Sequence, residues 1–374
     1  MATASTRLGT PYGSRELLRY PRRSEESLRA WCAADTQLIE ACHALNIHAQ
    51  STLVVNDDHG ALCTSIGPAA LWTDSKLAQI ALQENLQRNQ LVSIQTLWSS
   101  KPLTQPYLLA VLRIPKQLPY LEYQLTELAR AMPQGSNLLA AGMDKHLSAR
   151  TAEIIERTFG PTQRHRGRQK ARLFAATRGP HPAPARSTQS RYYCEELGGE
   201  LQSGANGFSR EKLDMGTRFL LQHLEKLAPV EHCIDLACGN GVLGLTALHK
   251  NVCQRLLLCD ESAMAIDAAR ANAQALLPLQ QDLIEFHHGD GLRDIQDRAD
   301  LILCNPPFHL GHTVDDFVGR RLLAQCQGQL QSGGKLCLVA NRHLDYRSTL
   351  KHHFSSVDIL AQNQKFIIWL ASRG

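Results

Sequence analysis

The residues best suited to chemistry lie in one short stretch, Leu301-Ile302-Leu303-Cys304-Asn305-Pro306-Pro307-Phe308. Its apolar run predicts a buried parallel strand, which the proline turn ends. Ligands of open α/β sheets bind just outside such carboxyl ends. An exocyclic NH2 group on a flat base needs acceptors for two hydrogens and a ring to stack on. The Asn305 oxygen, the Pro306 carbonyl and the Phe308 ring meet that need. Taken alone, the stretch is equally compatible with a strand-ending turn without chemistry. We predict four catalytic residues: Asn305, Pro306, Pro307 and Phe308.

A glycine-rich turn, Asp235–Gly241, follows an earlier strand. Gly239 and Gly241 permit a tight turn and a close approach of backbone to a ligand. The pattern is not G-x-G-x-x-G, so it favours a nucleoside with a charged tail over a dinucleotide. The Asp235 carboxylate is suited to an ammonium group.

Two more carboxylates end the next two strands. Asp260, with Glu261 beside it, is suited to a ribose diol, because a carboxylate accepts from two hydroxyls at once. Asp290, followed by Gly291, is suited to accept from the exocyclic amine of adenine. Each of these residues alone is explained as a turn or cap residue. Together with the Asp235–Gly241 turn and Asn305, however, they make four polar sites at the ends of four successive strands, and that pattern predicts a nucleoside cofactor.

The composition is that of a globular protein with 374 residues and no apolar run near 18 residues. The N-terminus lacks the apolar core of a secretory signal. The eleven cysteines include no C-x-x-C pair, so they predict neither a metal site nor a disulfide framework. We therefore expect a cytoplasmic protein with buried thiols.

Strands alternate with helices along the chain, which predicts α/β architecture with mostly parallel, doubly wound sheets. The first helix is expected to start near Ser24. A segment rich in Pro and Ser, residues 177–190, predicts a linker between domains 1–188 and 189–374. The two halves repeat each other: 71–75 matches 258–261, and 134–147 matches 332–344. We interpret them as two tandem Rossmann-like domains from a duplication.

The two copies differ where the chemistry would be. The first has Asn56-Asp57-Asp58-His59-Gly60 in place of the glycine-rich turn, and Ile114-Pro115-Lys116-Gln117 in place of the Asn-Pro-Pro-Phe stretch. It is therefore predicted to be degenerate. Its net charge is +8, against −3 for the second half, and a basic half favours a polyanion partner. The densest basic run predicts phosphate contacts from Arg164, Arg166, Arg168, Lys170 and Arg172. A solvated loop is the alternative.

These motifs resemble those of class I S-adenosylmethionine-dependent methyltransferases. Asp235–Gly241 is similar to motif I, Asp260 to the ribose acid, and Asn305–Phe308 to the N/D-P-P-Y/F signature of amino-group methylation. The whole chain, with Phe208-Ser209-Arg210 and Leu213–Thr217 before motif I, resembles the bacterial rRNA guanine-N2 methyltransferases, with the large-subunit branch most similar. Cys238 departs from the small residue of many relatives. The resemblance adds further cofactor-binding residues: Phe208, Asp214, Gly216, Thr217, Ala237, Cys238, Asn240 and Asn305.

The resemblance implies methylation of N2 of a guanine in 23S rRNA, free or in an assembling subunit, with S-adenosyl-L-methionine as donor. It implies a monomer that uses neither metal nor membrane. Four alternatives remain: a guanine of 16S rRNA, a protein glutamine amide, adenine N6 in DNA, and a non-catalytic RNA-binding assembly factor. For the adenine reaction a target-recognition insertion near Asn305 is expected, and the sequence has none.

Overall fold

The protein is described from a computed structural model that covers residues 4–23, 25–180, 189–306, 316–344 and 346–374, without the side chains of 316–318. The chain divides into two compact units, Met1–Thr188 and Gln189–Gly374. We describe each unit separately.

The first unit is an α/β domain with a small hairpin at its start. Its elements are β1 (Arg7–Thr10), β2 (Gly13–Glu16), α1 (Ala33–Leu45), β3 (Thr52–Val55), α2 (Ala61–Ile66), β4 (Ala70–Thr73), α3 (Lys76–Arg88), β5 (Gln95–Trp98), β6 (Leu109–Arg113), α4 (Leu118–Ala131), β7 (Asn137–Met143), α5 (Thr151–Thr158), β8 (Thr162–Arg164) and β9 (Ala171–Thr177).

The second unit repeats this plan. Its elements are β10 (Ser190–Cys194), β11 (Gly199–Ser203), α6 (Met215–Leu221), β12 (Val230–Leu236), α7 (Val242–His249), β13 (Cys253–Asp260), α8 (Ala263–Leu276), β14 (Ile284–His288), β15 (Ala299–Cys304), α9 (Asp316–Gln329), β16 (Leu330–Asn341), α10 (Tyr346–His353), β17 (Ser356–Gln362) and β18 (Phe366–Ser372).

Both units are built on a seven-stranded sheet with the same strand order. The order is β5-β4-β3-β6-β7-β9-β8 in the first unit and β14-β13-β12-β15-β16-β18-β17 in the second. Five strands of each sheet run parallel, and the last two in each order are paired antiparallel. The strand order reverses between β3 and β6, and between β12 and β15, which is where α/β sheets bind ligands. The fold is therefore that of two tandem Rossmann-like domains.

The shared register assigns equivalent positions in the two units. Val55 pairs with Leu112 in the first sheet, and Leu236 pairs with Cys304 in the second. The residues that follow Leu112 and Cys304 are Arg113 and Asn305, so Arg113 stands at the place of Asn305. The sequence comparison of the two halves aligns Ile114 with Asn305, and the strand register corrects that alignment by one residue.

The central strands are apolar on both faces because helices cover both sides of the sheet. In β15, Leu301 and Leu303 join one core cluster, while Ile302 and Cys304 join the cluster on the opposite face. Full burial of such a Leu or Ile contributes about 1.5–3 kcal/mol. This packing fixes the position of the strand end that carries Asn305.

Some expected elements differ in the structure. The first helix begins at Ala33 rather than near Ser24, which lies outside the described residues. The Cys32 backbone N–H donates to Asp35 Oδ2 at 2.7 Å, and this cap starts the helix. The predicted doubly wound sheets also gain antiparallel edge strands β8 and β17. Both are short or partly polar, so they lack the apolar run of a central strand.

Candidate active site

Asn305 follows β15 directly, and its carboxamide is held from one side. Its Nδ2 donates to Asp214 Oδ2 at 3.0 Å and to Thr217 Oγ1 at 2.8 Å. A carboxylate only accepts hydrogen bonds, so the nitrogen must face Asp214. The Asn305 Oδ1 atom consequently points away from this pair and is available as an acceptor.

Asp214 and Thr217 come from the start of α6. Asp214 is the N-cap residue, and its Oδ2 also accepts from the Thr217 backbone N–H at 2.9 Å. A Cβ atom on Gly216 would lie 3.1 Å from that oxygen and 3.6 Å from Asn305 Oδ1. The sequence predicted these three residues to bind cofactor, and the structure places all three against Asn305.

The other predicted catalytic residues are only partly described. Pro306 is buried directly after Asn305. Pro307 and Phe308 lie outside the described residues. The stacking role of Phe308 therefore stays a prediction.

The turn after β12 has the backbone conformation that its glycines permit. Ala237, Gly239 and Gly241 have φ angles of 59°, 56° and 83°. A Cβ atom on Gly239 would meet no heavy atom within 4 Å, whereas one on Gly241 would lie 3.1 Å from Ala269 Cβ. Gly239 thus leaves space for a ligand, and Gly241 permits packing against α8.

Asp235 is directed into the protein. The residue is 1% exposed, and its Oδ2 accepts from the Gly244 backbone N–H at 2.8 Å. Burial raises the pKa of Asp235 to about 7, against the lowering effect of that bond. Sequence reasoning missed Gly244, where a Cβ atom would lie 2.7 Å from Leu258 Cδ2. Asp235 therefore anchors α7 in the structure, and its ammonium-binding role stays a prediction.

Asp260 links the end of β13 to the glycine-rich turn. Its Oδ2 accepts from the Gly239 N–H and its Oδ1 from the Ser262 N–H, both at 2.9 Å. The residue is half-buried. Glu261 beside it is exposed. This geometry is compatible with the predicted ribose contact.

Asp290 is already engaged by a cation that sequence reasoning missed. Arg321 of α9 donates from NH1 to Asp290 Oδ2 at 2.7 Å, and its NH2 group contacts Oδ1. Asp290 is 3% exposed, and Gly291 after it has a φ of 60°. The pair ties α9 to the end of β14, and the adenine contact predicted for Asp290 stays a prediction.

The remaining predicted cofactor residues have different environments. Phe208 is 69% exposed. Asn240 Nδ2 donates to Tyr192 Oη and Ser203 Oγ, each at 3.1 Å, which joins the turn to the β10–β11 hairpin. Cys238 is buried, and burial raises the pKa of its thiol well above the usual value. A deprotonated Cys238 nucleophile is therefore disfavoured.

The predicted phosphate-binding run forms the β8–β9 hairpin of the first unit. Arg168 pairs with Glu40, and Arg172 Nε lies 3.1 Å from Asp144 Oδ1. Arg164, Arg166 and Lys170 are exposed and form no ion pair with any described residue. These three cations are therefore more available for phosphate contacts than Arg168 and Arg172.

Neither a metal site nor a membrane span is found in the described part of the chain. No cluster of at least three His, Cys, Asp or Glu side chains there is suited to hold a metal ion. Over the same residues, no helix combines the length and apolar character needed to cross a membrane.

The second unit has the fold and site layout of a class I S-adenosylmethionine-dependent methyltransferase. A glycine-rich turn follows β12, a carboxylate stands at the end of β13, and Asn305 and Pro306 follow β15 at the switch point. The open space at Gly239 and the half-buried Asp260 fit a nucleoside cofactor. Family models agree: the RLMG N-terminal domain matches residues 5–180, and the methyltransferase small domain matches residues 199–370.

Curated relatives extend over nearly the whole chain. Ribosomal RNA large subunit methyltransferase G of Stutzerimonas stutzeri is 38% identical, with 96% of this chain and 98% of the relative covered. The protein of that name from Alcanivorax borkumensis is also 38% identical, with 96% and 95% covered. The chain belongs to the ribosomal RNA large subunit methyltransferase G family, and S-adenosylmethionine is its methyl donor.

A solved structure shares the fold of both units. The T. thermophilus 16S rRNA N2 methyltransferase RsmC, in complex with AdoMet and guanosine, has a TM-score of 0.79 and 20% identity. The match covers 99% of this chain and 98% of that one.

Proposed function

We propose that the second unit methylates the exocyclic N2 amine of one guanine in 23S rRNA. The fixed orientation of the Asn305 carboxamide carries this proposal. Its Oδ1 atom is an acceptor held in place by two donor contacts on the other side of the same group. An aromatic amine is a poor nucleophile because its lone pair is delocalised into the ring. An acceptor that holds an N–H in a fixed direction favours a pyramidal nitrogen, and the lone pair of that nitrogen then points toward the methyl group of the methyl donor.

Each site residue then has a defined task. S-adenosylmethionine, when bound, supplies a methyl group that is already activated as a sulfonium. Asn305 Oδ1 accepts one N2–H, and the Pro306 carbonyl accepts the other. Once the N2–methyl bond has formed and the bond to the sulfonium has broken, one of these two protons leaves N2 for water. Phe308 stacks on the base, which must be unpaired or flipped to reach the site. The protein therefore contributes mainly positioning and charge complementarity.

The cofactor is assigned to the turn and the strand ends. Backbone of residues 237–241 faces the amino-acid part, and Asp260 accepts from the ribose hydroxyls. The 23S assignment is supported by the names of the curated relatives. The guanine-N2 assignment is supported by the guanosine-bound neighbour of similar fold. The basic hairpin of the first unit holds the RNA, and the enzyme acts in the cytoplasm as a monomer.

Nucleoside mass spectrometry tests the proposal. Ribosomal RNA from cells that lack the protein is incubated with the full-length enzyme and labelled S-adenosylmethionine, then digested to nucleosides. Label in N2-methylguanosine derived from 23S rRNA is expected. Label in another nucleoside, or in 16S rRNA alone, overturns the assignment. Parallel reactions on free 23S rRNA and on large subunits identify the physical substrate.

A further inference from the structure

The first unit contains a cavity of about 880 Å³. It lies outside the carboxyl ends of the strands, where Asp57–His59 follow β3, Arg113 ends β6 and Met143 ends β7. The segment before α1 and the first residue of that helix, residues 27–33, also line the cavity. This location is the switch point of the first sheet, which is equivalent to the cofactor site of the second.

One residue that lines the cavity, Arg113, is a hydrogen-bond donor. Arg113 Nε lies 2.7 Å from Asp35 Oδ1, and its NH1 group is 3.4 Å from the Ala141 carbonyl. Among the described residues, none accepts from its NH2 group. The Asp35 charge raises the pKa of Arg113 despite burial, so the guanidinium stays protonated.

Acceptors lie beside this donor. Asp57 is buried and its Oδ2 accepts from the Cys63 N–H at 2.8 Å, while Asp58 is exposed and also lines the cavity. The His59 ring also lines the cavity. Its Nδ1 is buried without a hydrogen-bond partner in the described part of the chain. Burial lowers the pKa of His59 to about 4, so the ring is neutral near pH 7.

An aromatic side chain completes the wall. Trp31 is half-buried, and the Arg29 guanidinium lies 5.6 Å from its ring centre. Donor, acceptors and a stacking ring around one cavity are the groups that single-stranded nucleic-acid sites use for a base.

The cavity adjoins the basic hairpin. Gln169, between Arg168 and Lys170, is one of its lining residues. Gln37 Nε2 donates to the Arg168 carbonyl at 2.7 Å, which fixes the hairpin to α1. An RNA strand held by the hairpin cations would therefore run past the cavity mouth.

We propose that this cavity receives the base of one unpaired nucleotide of the RNA whose phosphates contact the β8–β9 hairpin. The proposal rests on the RNA substrate of the proposed function, and adds a second nucleotide site in the inactive unit. S-adenosylmethionine does not fit as the occupant. Thr73 stands where the second unit has Asp260, and Asp57 and Asp58 replace the open glycine turn.

The test compares two tryptophan variants of the full-length protein. Trp31 and Trp98 are both half-buried in the first unit, and Trp98 does not line the cavity. Binding of a labelled single-stranded RNA 12-mer of mixed sequence is measured over a range of salt concentrations. Trp31→Ala is expected to weaken binding about 10-fold, the order for loss of one base–aromatic stack. Its salt slope should stay at the wild-type value, because no phosphate contact is removed. Trp98→Ala should bind within about twofold of wild type.

Controls distinguish loss of an RNA-base contact from misfolding of the variant and from binding of a free nucleotide. Thermal unfolding and S-adenosylmethionine calorimetry check that each variant is folded. Photocrosslinking of wild type to 4-thiouridine-containing RNA should label residues 27–35. Equal RNA affinities of the two variants, or no crosslink in that segment, overturn the proposal. GMP binding that Trp31→Ala abolishes, with RNA affinity unchanged, assigns the cavity to free nucleotides and also overturns it.

The proposed function fails independently. If the methylated product is not N2-methylguanosine but Trp31→Ala still loses RNA affinity selectively, the cavity assignment stands and the reaction assignment falls. If N2-methylguanosine forms normally but the two variants bind RNA equally, the reaction assignment stands and the cavity assignment falls.

Discussion

At the scale of single residues, the site depends on how Asn305 is held. An asparagine side chain can be rotated to present either its oxygen or its amide nitrogen. Asp214 and Thr217 remove that freedom by accepting both amide hydrogens. The side-chain oxygen is therefore fixed before any substrate arrives, which avoids reorganisation during the reaction.

Replacing Asn305 with Ala should slow methyl transfer by about 10²-fold, the order for loss of one preorganised hydrogen bond. S-adenosylmethionine affinity should change little, because the proposed partner of Oδ1 is the base. Single-turnover kinetics and calorimetry give the two quantities. Turnover within about twofold of wild type would remove Asn305 from the catalytic role.

Asp57 makes the stability of the first unit depend on pH. Burial raises its pKa to about 7, with the nearby Asp35 charge adding to the shift. The pKa of Asp57 is higher in the folded state than in the unfolded one. The contribution of Asp57 to the free energy of unfolding is therefore fully present at low pH and is lost as pH rises from about 4 to 7. Asp57→Asn should therefore raise the midpoint of thermal unfolding more at pH 8 than at pH 5. Asp58→Asn, at an exposed neighbour, is the matched control. A shift of equal size at both pH values would contradict the assignment.

At the scale of elements, the β8–β9 hairpin divides its cations into two groups. Arg168 and Arg172 already pair with Glu40 and Asp144, whereas Arg164, Arg166 and Lys170 are exposed. RNA phosphates compete with the existing partners only in the first group. The second group should therefore supply most of the phosphate contacts.

Changing Arg164, Arg166 and Lys170 together to Gln should weaken RNA binding and flatten its salt slope by about 0.7 per lost contact on single strands. Changing Arg168 and Arg172 to Gln should have a smaller effect per residue. Affinity titrations at several salt concentrations measure both. If the variant of the paired group flattens the salt slope more, the paired cations are the main phosphate contacts and the division of the cations is wrong. If neither variant changes the slope, the hairpin is not the phosphate platform.

The sequence predicted most central elements because their apolar runs or helical periods are strong. The β15 run and helix α8, with its Ser262 cap, are examples. It did not reveal the β10–β11 hairpin, whose pairing partners are set by register rather than composition. Nor could it give the internal partners of Asp235 and Asp290, because Gly244 and Arg321 meet them only through packing.

At the scale of the whole molecule, the same fold occurs twice, but only the second unit has the glycine-rich turn, Asp260 and Asn305. Methyl-donor binding should therefore be limited to residues 189–374. Hydrogen exchange of the full chain, with and without S-adenosylmethionine, checks this. Protection is expected in residues 237–241 and around Asp260, with none in residues 4–180. Protection around Asp57–His59 would show that the first unit retains the cofactor site.

Arg113 also bears on the history of the duplication. In the first unit it occupies the place of Asn305, and it neutralises Asp35. A mutation that restored asparagine there would leave the Asp35 charge buried without its partner, at a cost of about 3–5 kcal/mol. That cost is a large part of the roughly 5–15 kcal/mol that holds a typical domain folded. An Arg113→Asn change would therefore destabilise the first unit before any other residue of the second unit's site was in place. The first unit disfavours asparagine at this position for reasons of folding alone, independently of any chemistry.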